Sequence, residues 1–522
     1  MKGRVQPVKS ENSQVRIGAV LSYILVALNA CYGLFLTPFI LGQIGEAAYG
    51  VYKTVSSFTS ALMVLDLGLG GTMMRYIAKY RADKEEHRIS NFTAMSFIQA
   101  TVICGVMAAV SFVLYFFLDT IYQNGLTAPE LSKAKQLYIF LALGLLAHIY
   151  QNVLNGIICG YNRFVFANGV KVVRLIVRIA LVFLLLGIFK DPVVLVLIDL
   201  LVTVGFSLLE LWYMFVRLKM KIKLVKWERN VFVESFGYTI LIFLTSLVSQ
   251  ANTNLSNIIV GASISSTAVT IYSLAILIFG IYQQMSTSIS DVMLPTVTKC
   301  LKDDDEQYSA TVSLISRVGR IQFLLLGAAC SGFLVLGRQF IEMWLGAGFE
   351  DVYILTLILM GPALLELCVN VCLSILRAKN ILGFRTLVIT ATAILNIITI
   401  RLFIGKWGYY ACAVSTAVTY FVSSVIVMGV YYYKKLKINL LKLYRTIFKG
   451  IWLCIVLSAV AGFGAAFAVR HVNLQGVGNA TLQFVVGVIA FVAVYAATLL
   501  LFGLDQYEKN VVFSKIRRTK NG

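Results

Sequence analysis

Charge is scarce in this chain. Only 13% of its 522 residues are charged, against about a quarter in ordinary soluble domains. Acids are the scarcer sign, 24 Asp and Glu against 45 Lys and Arg. Set in a composition that is 59% hydrophobic with a mean hydropathy of +0.84, so few charges exclude a soluble enzyme. They also exclude a disordered chain, which needs low hydrophobicity. With 6 Pro among 39 Gly there is no collagen-like repeat. The three His (His87, His148, His471) are dispersed, and no GxxxxGK[ST] loop offers to hold ATP phosphates. The nine Cys are odd in number and mostly sit inside apolar runs. Cys368 and Cys372 share a helical face without a His or second Cys pair nearby, so they read as small packing residues and not as a metal site.

What is present is long apolar runs. Fourteen of them are placed near 17–40, 48–72, 90–118, 136–160, 168–189, 192–216, 232–260, 267–296, 312–337, 353–376, 384–405, 408–433, 446–469 and 481–503, each able to cross roughly 30 Å of hydrocarbon. The second carries Lys53 and Asp66, and the seventh is rich in Ser, Thr and Asn. The first follows a basic stretch and lacks a small-residue cleavage site, so it reads as a retained helix. The expectation is an all-α polytopic membrane protein. The net charge of +21 would suggest nucleic acid on a soluble chain; here it records topology, and no nucleic-acid partner is expected. With the N-terminus inside, 32 of the 45 Lys and Arg fall in cytosolic segments, 7 in external loops and 6 within spans. Miscounting one span would invert every later loop, so the asymmetry supports fourteen spans with both termini cytosolic.

The chain also repeats itself. Asn152-Val-Leu-Asn-Gly-Ile-Ile-Cys-Gly-Tyr-Asn162 and Asn370-Val-Cys-Leu-Ser-Ile-Leu-Arg-Ala-Lys-Asn380 lie 218 residues apart, and the same shift carries spans one to six onto spans seven to twelve. An even number of spans per copy gives parallel repeats, a transporter architecture with its site between the halves. Residues 1–230 form the N-terminal lobe, 231–445 the C-terminal lobe, and 446–522 two extra spans with a basic cytosolic tail.

Ions inside spans mark candidate function, because a charge at the bilayer centre costs about 2.5–3.5 kcal/mol and must face protein or water. Lys171, Arg174 and Arg178 fall on one face of span five, with Arg178 roughly 14 Å deep. Arg317 and Arg320 repeat the spacing on span nine, and Arg16 and Arg75 enter at similar inner depth. Together they would make a cationic funnel open to the cytosol. Six intramembrane acids (Asp66, Asp199, Glu210, Glu234, Asp291, Glu366) offset them, so internal pairing and anion binding both remain open. Thr245, Ser249, Asn252 and Ser256 form a polar stripe on span seven, and Gln283, Ser286, Thr287, Ser290 and Asp291 another on span eight. Interhelical hydrogen bonding and a hydrated cavity wall both fit them. Pro362, four residues before Glu366, should break its helix and free a carbonyl beside an acid.

The runs Leu21-Ser-Tyr-Ile, Thr37-Pro-Phe-Ile-Leu, Tyr49-Gly-Val-Tyr-Lys53, Leu65-Asp-Leu-Gly-Leu69 and Arg75-Tyr-Ile-Ala-Lys-Tyr-Arg81 resemble bacterial polysaccharide-biosynthesis flippases of the multidrug/oligosaccharidyl-lipid/polysaccharide superfamily. The likeness is strongest over 17–90, weaker at Gly160-Tyr-Asn-Arg-Phe164, and elsewhere rests on span layout. It implies two six-helix lobes around a central cavity. It further implies alternating access that carries an undecaprenyl-diphosphate-linked oligosaccharide, or a lipid-linked cell-wall precursor, across the bacterial cytoplasmic membrane. The diphosphate candidates would then be Arg16, Arg75, Arg174, Arg178, Arg317 and Arg320. Cavity walls would come from Lys53, Thr245, Ser249, Asn252 and Gln283. No cofactor is expected beyond a coupling Na+ or H+, for which Asp66, Asp291 and Glu366 are the candidates. Partners would be the lipid-linked glycan, membrane lipids, and glycosyltransferases or a polymerase of the same pathway. A multidrug cation exporter of the same superfamily and a membrane-embedded glycosyltransferase are the alternatives, the second disfavoured by the missing carboxylate cluster and large external loop.

The topology is directly testable. A cytosolic reporter fused after Gly522 should be active, and a C-terminus reached from outside would break the fourteen-span reading.

Overall fold

A computed structural model of the chain describes residues 8–63, 69–220, 222–225, 254–300, 307–378, 381, 383–469 and 477–503. The side chains of 8–13, 15, 16, 19, 23, 291–300, 307–311, 377, 378 and 477 are not among what it describes. The regular secondary structure of the described residues is all helical, with no strand. They fall into two compact units, Met1–Ser273 and Leu274–Gly522.

The first unit contains α1 (Val8–Ile44), α2 (Glu46–Leu62), α3 (Leu69–Ala82), α4 (Glu86–Tyr122), α5 (Ala128–Gly160), α6 (Phe164–Leu181), α7 (Pro192–Trp212) and the start of α8 (Ser266–Cys300). Two of these starts have a local cause in a side-chain cap. At α5 the Thr127 backbone N–H and hydroxyl both donate to the Glu130 carboxylate at 2.8 Å, a capping box ahead of Pro129. At α7 the Asp191 carboxylate accepts the Val193 N–H at 2.8 Å with Pro192 in the first turn. A π-turn over Val182–Leu186 carries α6 on to Phe189.

One very tight crossing is between α3 and α5. A Cβ on Gly156 would lie 2.3 Å from the Gly70 carbonyl oxygen, and one on Gly70 would lie 2.7 Å from that of Asn152. Hydrocarbon gives no hydrophobic drive for helix association, so contact depends on backbones approaching this closely, which only the smallest residues permit.

The second unit contains the rest of α8, α9 (Gln307–Leu345), α10 (Glu350–Cys368), α11 (Val371–Ala378), α12 (Gly383–Trp407), α13 (Tyr410–Tyr420), α14 (Met428–Leu436), α15 (Leu440–Phe448), α16 (Ile451–Ala468) and α17 (Val477–Thr498). A π-turn over Phe421–Val427 joins α13 to α14. The break expected at Pro362 does not occur: α10 runs through it to Cys368. A proline removes one hydrogen bond, and neighbouring helices make that loss tolerable inside a membrane protein. The chain breaks instead at Val369 and Asn370.

The last two spans, α16 and α17, pack on each other through Gly462 and Gly487, where a Cβ on either would come within 3.4 Å of the other's carbonyl oxygen. Both lean on α9. Tyr495 donates to the Leu324 carbonyl at 2.7 Å. Arg320, 4% exposed, donates to the carbonyls of Thr446 (3.2 Å), Lys449 (3.1 Å) and Gly503 (2.9 Å).

Twelve helices among the described residues are long and apolar enough to cross a membrane. Of the fourteen expected spans, those near 48–72 and 232–260 are not among them. In the first, α2 covers Glu46–Leu62 in 17 residues, residues 64–68 lie outside the described residues, and α3 begins at Leu69. Most of the second lies outside the described residues, though 254–260 are helical.

The glycine contact predicts a sharp contrast. Gly156→Val should cut membrane abundance and lower the melting temperature, whereas Gly42→Ala, where an added Cβ meets nothing within 4 Å, should leave both within error.

Candidate functional site

The first unit encloses a cavity of about 180 Å³ between α1, α5, α6 and α7, lined by Leu25, Asn29, His148, Gln151, Asn152, Asn155, Lys171, Arg174, Leu175, Arg178 and Glu210. A single water needs ~10–15 Å³ on this scale, so there is room for a polyatomic group. Helical spacing supplies the polarity: Lys171, Arg174 and Arg178 share a face of α6, and His148, Gln151, Asn152 and Asn155 share one of α5.

Its cations are held in different ways. Arg178 is committed to a carboxylate, with Nη2 donating to Asp199 Oδ2 at 2.7 Å and Nε pairing with Oδ1. Its guanidinium also lies 4.8 Å from the Tyr32 ring centroid. Arg174 donates instead to a neutral group, the buried amide oxygen of Gln151, and makes no ion pair among the described residues. Glu210, 1% exposed, lines the same cavity as Arg174 and Lys171. Its Oε2 accepts no hydrogen bond among the described residues. With Asp199 cancelling Arg178, Glu210 remains against Lys171 and Arg174, which leaves one excess positive charge in a cavity lined mostly by polar side chains. Such a site can take up an anionic group through charge-assisted hydrogen bonds.

A second, much smaller cavity of about 10 Å³ lies within the other unit, lined in part by Glu366, Asn370, Arg385, Ser423, Ser424 and Tyr432. Six residues of the first cavity recur in it 218 positions later. His148 answers to Glu366, Gln151 to Val369, Asn152 to Asn370, Asn155 to Leu373, Lys171 to Ile389 and Glu210 to Met428. The offset equals that of the sequence repeat, so the repeat reappears as geometry. The chemistry has diverged. The second cavity has lost the lysine and buried acid and has an internal pair, Arg385 Nη2 and Glu366 Oε1 at 3.8 Å, with room for about one water.

None of the other candidate residues whose side chains are described lines the first cavity. Arg320 is taken up by the three carbonyls at the ends of α15 and α17. Arg75 and Arg317 are exposed, and each has interactions of its own. The Lys53 ammonium lies 5.3 and 5.9 Å from the ring centroids of Tyr49 and Tyr52. Gln283 donates to the Tyr420 hydroxyl at 3.4 Å. On the same helix Ser286 donates to the Leu367 carbonyl at 3.0 Å and Ser290 accepts from Gln322 at 2.8 Å, so these serines join helices. Ser256 is buried. Asp66, Thr245, Ser249 and Asn252 lie outside the described residues, as do the side chains of Arg16 and Asp291.

A model of the family described as polysaccharide biosynthesis protein matches residues 19–301. The chain belongs to this family. Among curated proteins it is similar to the uncharacterized membrane protein EpsK of Bacillus subtilis, 20% identical over 357 residues that cover 65% of this chain and 67% of EpsK. Among solved structures, the family member shares the fold of the lipid II flippase MurJ in an inward closed conformation, with a TM-score of 0.67 at 13% identity over 92% of this chain and 98% of MurJ. It also shares the fold of an inward-facing multidrug resistance MATE family transporter of the MOP superfamily, with a TM-score of 0.59 at 15% identity over 79% of this chain and 95% of that one.

The different bonding of the two arginines predicts different phenotypes. Arg178→Ala strands Asp199, a loss on the order of 3 kcal/mol for a broken buried pair, and should lower membrane abundance. Arg178→Ala with Asp199→Asn should restore it in part, as read by quantitative immunoblot. Arg174→Gln should leave abundance nearly unchanged.

Proposed function

We propose that the protein is a flippase for a lipid-linked oligosaccharide or lipid-linked cell-wall precursor, carried by a polyprenyl diphosphate and moved across the bacterial cytoplasmic membrane by alternating access. Family membership and the shared fold support a transporter of this superfamily. The observation that carries the choice of cargo is the first cavity: an excess positive charge among membrane helices, with Arg174 bonded to an amide and to no carboxylate. A diphosphate is the anionic part of such a cargo, its hydrated sugar is what hydrocarbon excludes, and its lipid tail can remain in the bilayer.

The residues then divide the work. Arg174 and Lys171 receive the headgroup, Gln151 orients Arg174, and Glu210 balances the empty site. When the anion arrives it competes with Glu210 for the same two cations, so binding and release exchange partners and need not bare a charge to lipid. The drive is a Na+ or H+ gradient, the membrane potential or consumption of the product outside. Glu366, in the second cavity, is the ion-coupling candidate whose side chain is described. Pathway glycosyltransferases would supply the cargo. A multidrug exporter would need an accessible acid for its cation, and in this cavity cations outnumber acids. A glycosyltransferase would need clustered carboxylates.

The test is protection of a fluorescent lipid-linked oligosaccharide in proteoliposomes. Wild type should translocate it. Arg174→Gln, which removes charge-assisted hydrogen bonds contributing about 1.5–3 kcal/mol, should be ~10- to 100-fold slower at equal abundance. Translocation no faster than in protein-free vesicles under every imposed gradient, beside export of a cationic dye, would move the assignment to a multidrug exporter.

A further inference from the structure

Between the twelfth expected span and the two added ones, residues 434–449 hold six cations, Lys434, Lys435, Lys437, Lys442, Arg445 and Lys449, and no acid. The cytosolic segment 79–88 is different: its four cations alternate with Asp83, Glu85 and Glu86, and Arg88 pairs with Glu85 at 3.1 Å. Charge in 434–449 is therefore not neutralised from within.

Nor is this segment a loose loop. Lys437 takes a left-handed conformation (φ 54°) that ends α14, Asn439 caps α15 by accepting the Lys442 N–H at 3.2 Å, and Gly450 (φ 81°) turns the chain into α16. Between those two turns α15 is two-sided. Leu440, Leu443, Tyr444 and Ile447 are buried in the same core as Cys368, Ile375 and Tyr432. The Tyr444 hydroxyl donates to the Leu365 carbonyl at 3.0 Å, and Arg320 holds the helix's C-terminal carbonyls. The other side presents exposed Lys442, Arg445 and Lys449, with Leu441 76% exposed beside them and Tyr433 60% exposed at the end of α14.

We propose that this basic elbow is a docking surface for anionic phospholipid headgroups of the cytosolic leaflet. Cations interleaved with projecting apolar side chains match the depth at which headgroup phosphates meet acyl chains. A span begins at Ile451, two residues after Lys449, so the bilayer surface adjoins the elbow. A soluble acidic partner would leave Leu441 and Tyr433 in water. The proposal rests on the topological reading that places Lys-rich loops in the cytosol, and it makes no use of the cargo or of transport.

The experiment is native mass spectrometry of the full-length protein released from bilayers of phosphatidylglycerol and phosphatidylcholine. Wild type should retain phosphatidylglycerol in preference, and the preference should fade as salt rises. Lys442→Gln/Arg445→Gln/Lys449→Gln should weaken it about tenfold, and Lys434→Gln/Lys435→Gln should weaken it to a lesser degree. Lys79→Gln/Lys84→Gln/Arg88→Gln, which removes as many cations elsewhere, should change it less than about twofold. Equal melting temperatures in phosphatidylcholine alone show that the variants are folded, and the double variant serves if the triple one is not. Retention of the wild-type preference by the elbow variants, or an equal loss in the control, overturns the proposal. Displacement of the lipid by equimolar heparin also overturns it, by assigning the surface to a soluble polyanion. Because binding is read without transport, a negative result here leaves the flippase test standing, and the reverse.

Discussion

Hydrocarbon cannot hold a bare charge, and that constraint shapes how the buried ions among the described residues are held. Inside the first unit Arg178 has Asp199, Arg174 has the Gln151 amide, and Glu210 lies within the field of Arg174 and Lys171. In the second unit Arg385 has Glu366, and Arg320 has three carbonyls. Each solution has a different consequence. A bidentate carboxylate fixes a guanidinium for good. Three carbonyls at helix ends fix it as a fastening between elements. An amide holds it in place while leaving its charge uncompensated, and of these solutions only that one suits a visiting anion.

The paired cavities show how one scaffold serves two ends. Six positions correspond at an offset of 218 residues, yet the first cavity has Lys171 and Glu210 where the second has Ile389 and Met428. The two positions that are charged in the first cavity are thus apolar in the second. The second cavity has room for about one water and an internal ion pair across it. An excess of positive charge is thus a property of one copy of the repeat, and the other retains the corresponding positions with its charges paired.

Much of this was legible in the sequence, for identifiable reasons. Span length and the asymmetry of Lys and Arg gave the helical membrane architecture, because both follow directly from bilayer physics. The repeat showed in a short match beginning at Asn152 and Asn370, and those asparagines are corresponding walls of the two cavities. Lys171, Arg174 and Arg178 were identifiable by their spacing on one helical face. What could not be read was which intramembrane cation has a carboxylate. Arg178 and Arg174 differ by one helical turn and look alike on a helical face, and only the register between α6 and α7 gives Asp199 to the first. Arg320 was indistinguishable from a cargo ligand because its partners are backbone carbonyls, which leave no mark in composition. Arg385 lies at the start of α12, and nothing in the sequence spacing marks Glu366 as its partner. The expected break at Pro362 failed because proline's effect depends on the helices around it.

The arginine fastening also bears on biosynthesis. The Gly503 carbonyl that Arg320 engages is made 183 residues after it, and at 5–20 residues per second that is an interval of roughly 10–40 s. Throughout it the nascent second unit carries an intramembrane guanidinium whose final acceptor does not yet exist. A chain stopped before its last span would hold that cation permanently without this contact, which is the kind of defect membrane proteases and chaperones detect. The added pair of helices is therefore followed by the last of the three carbonyl partners of Arg320.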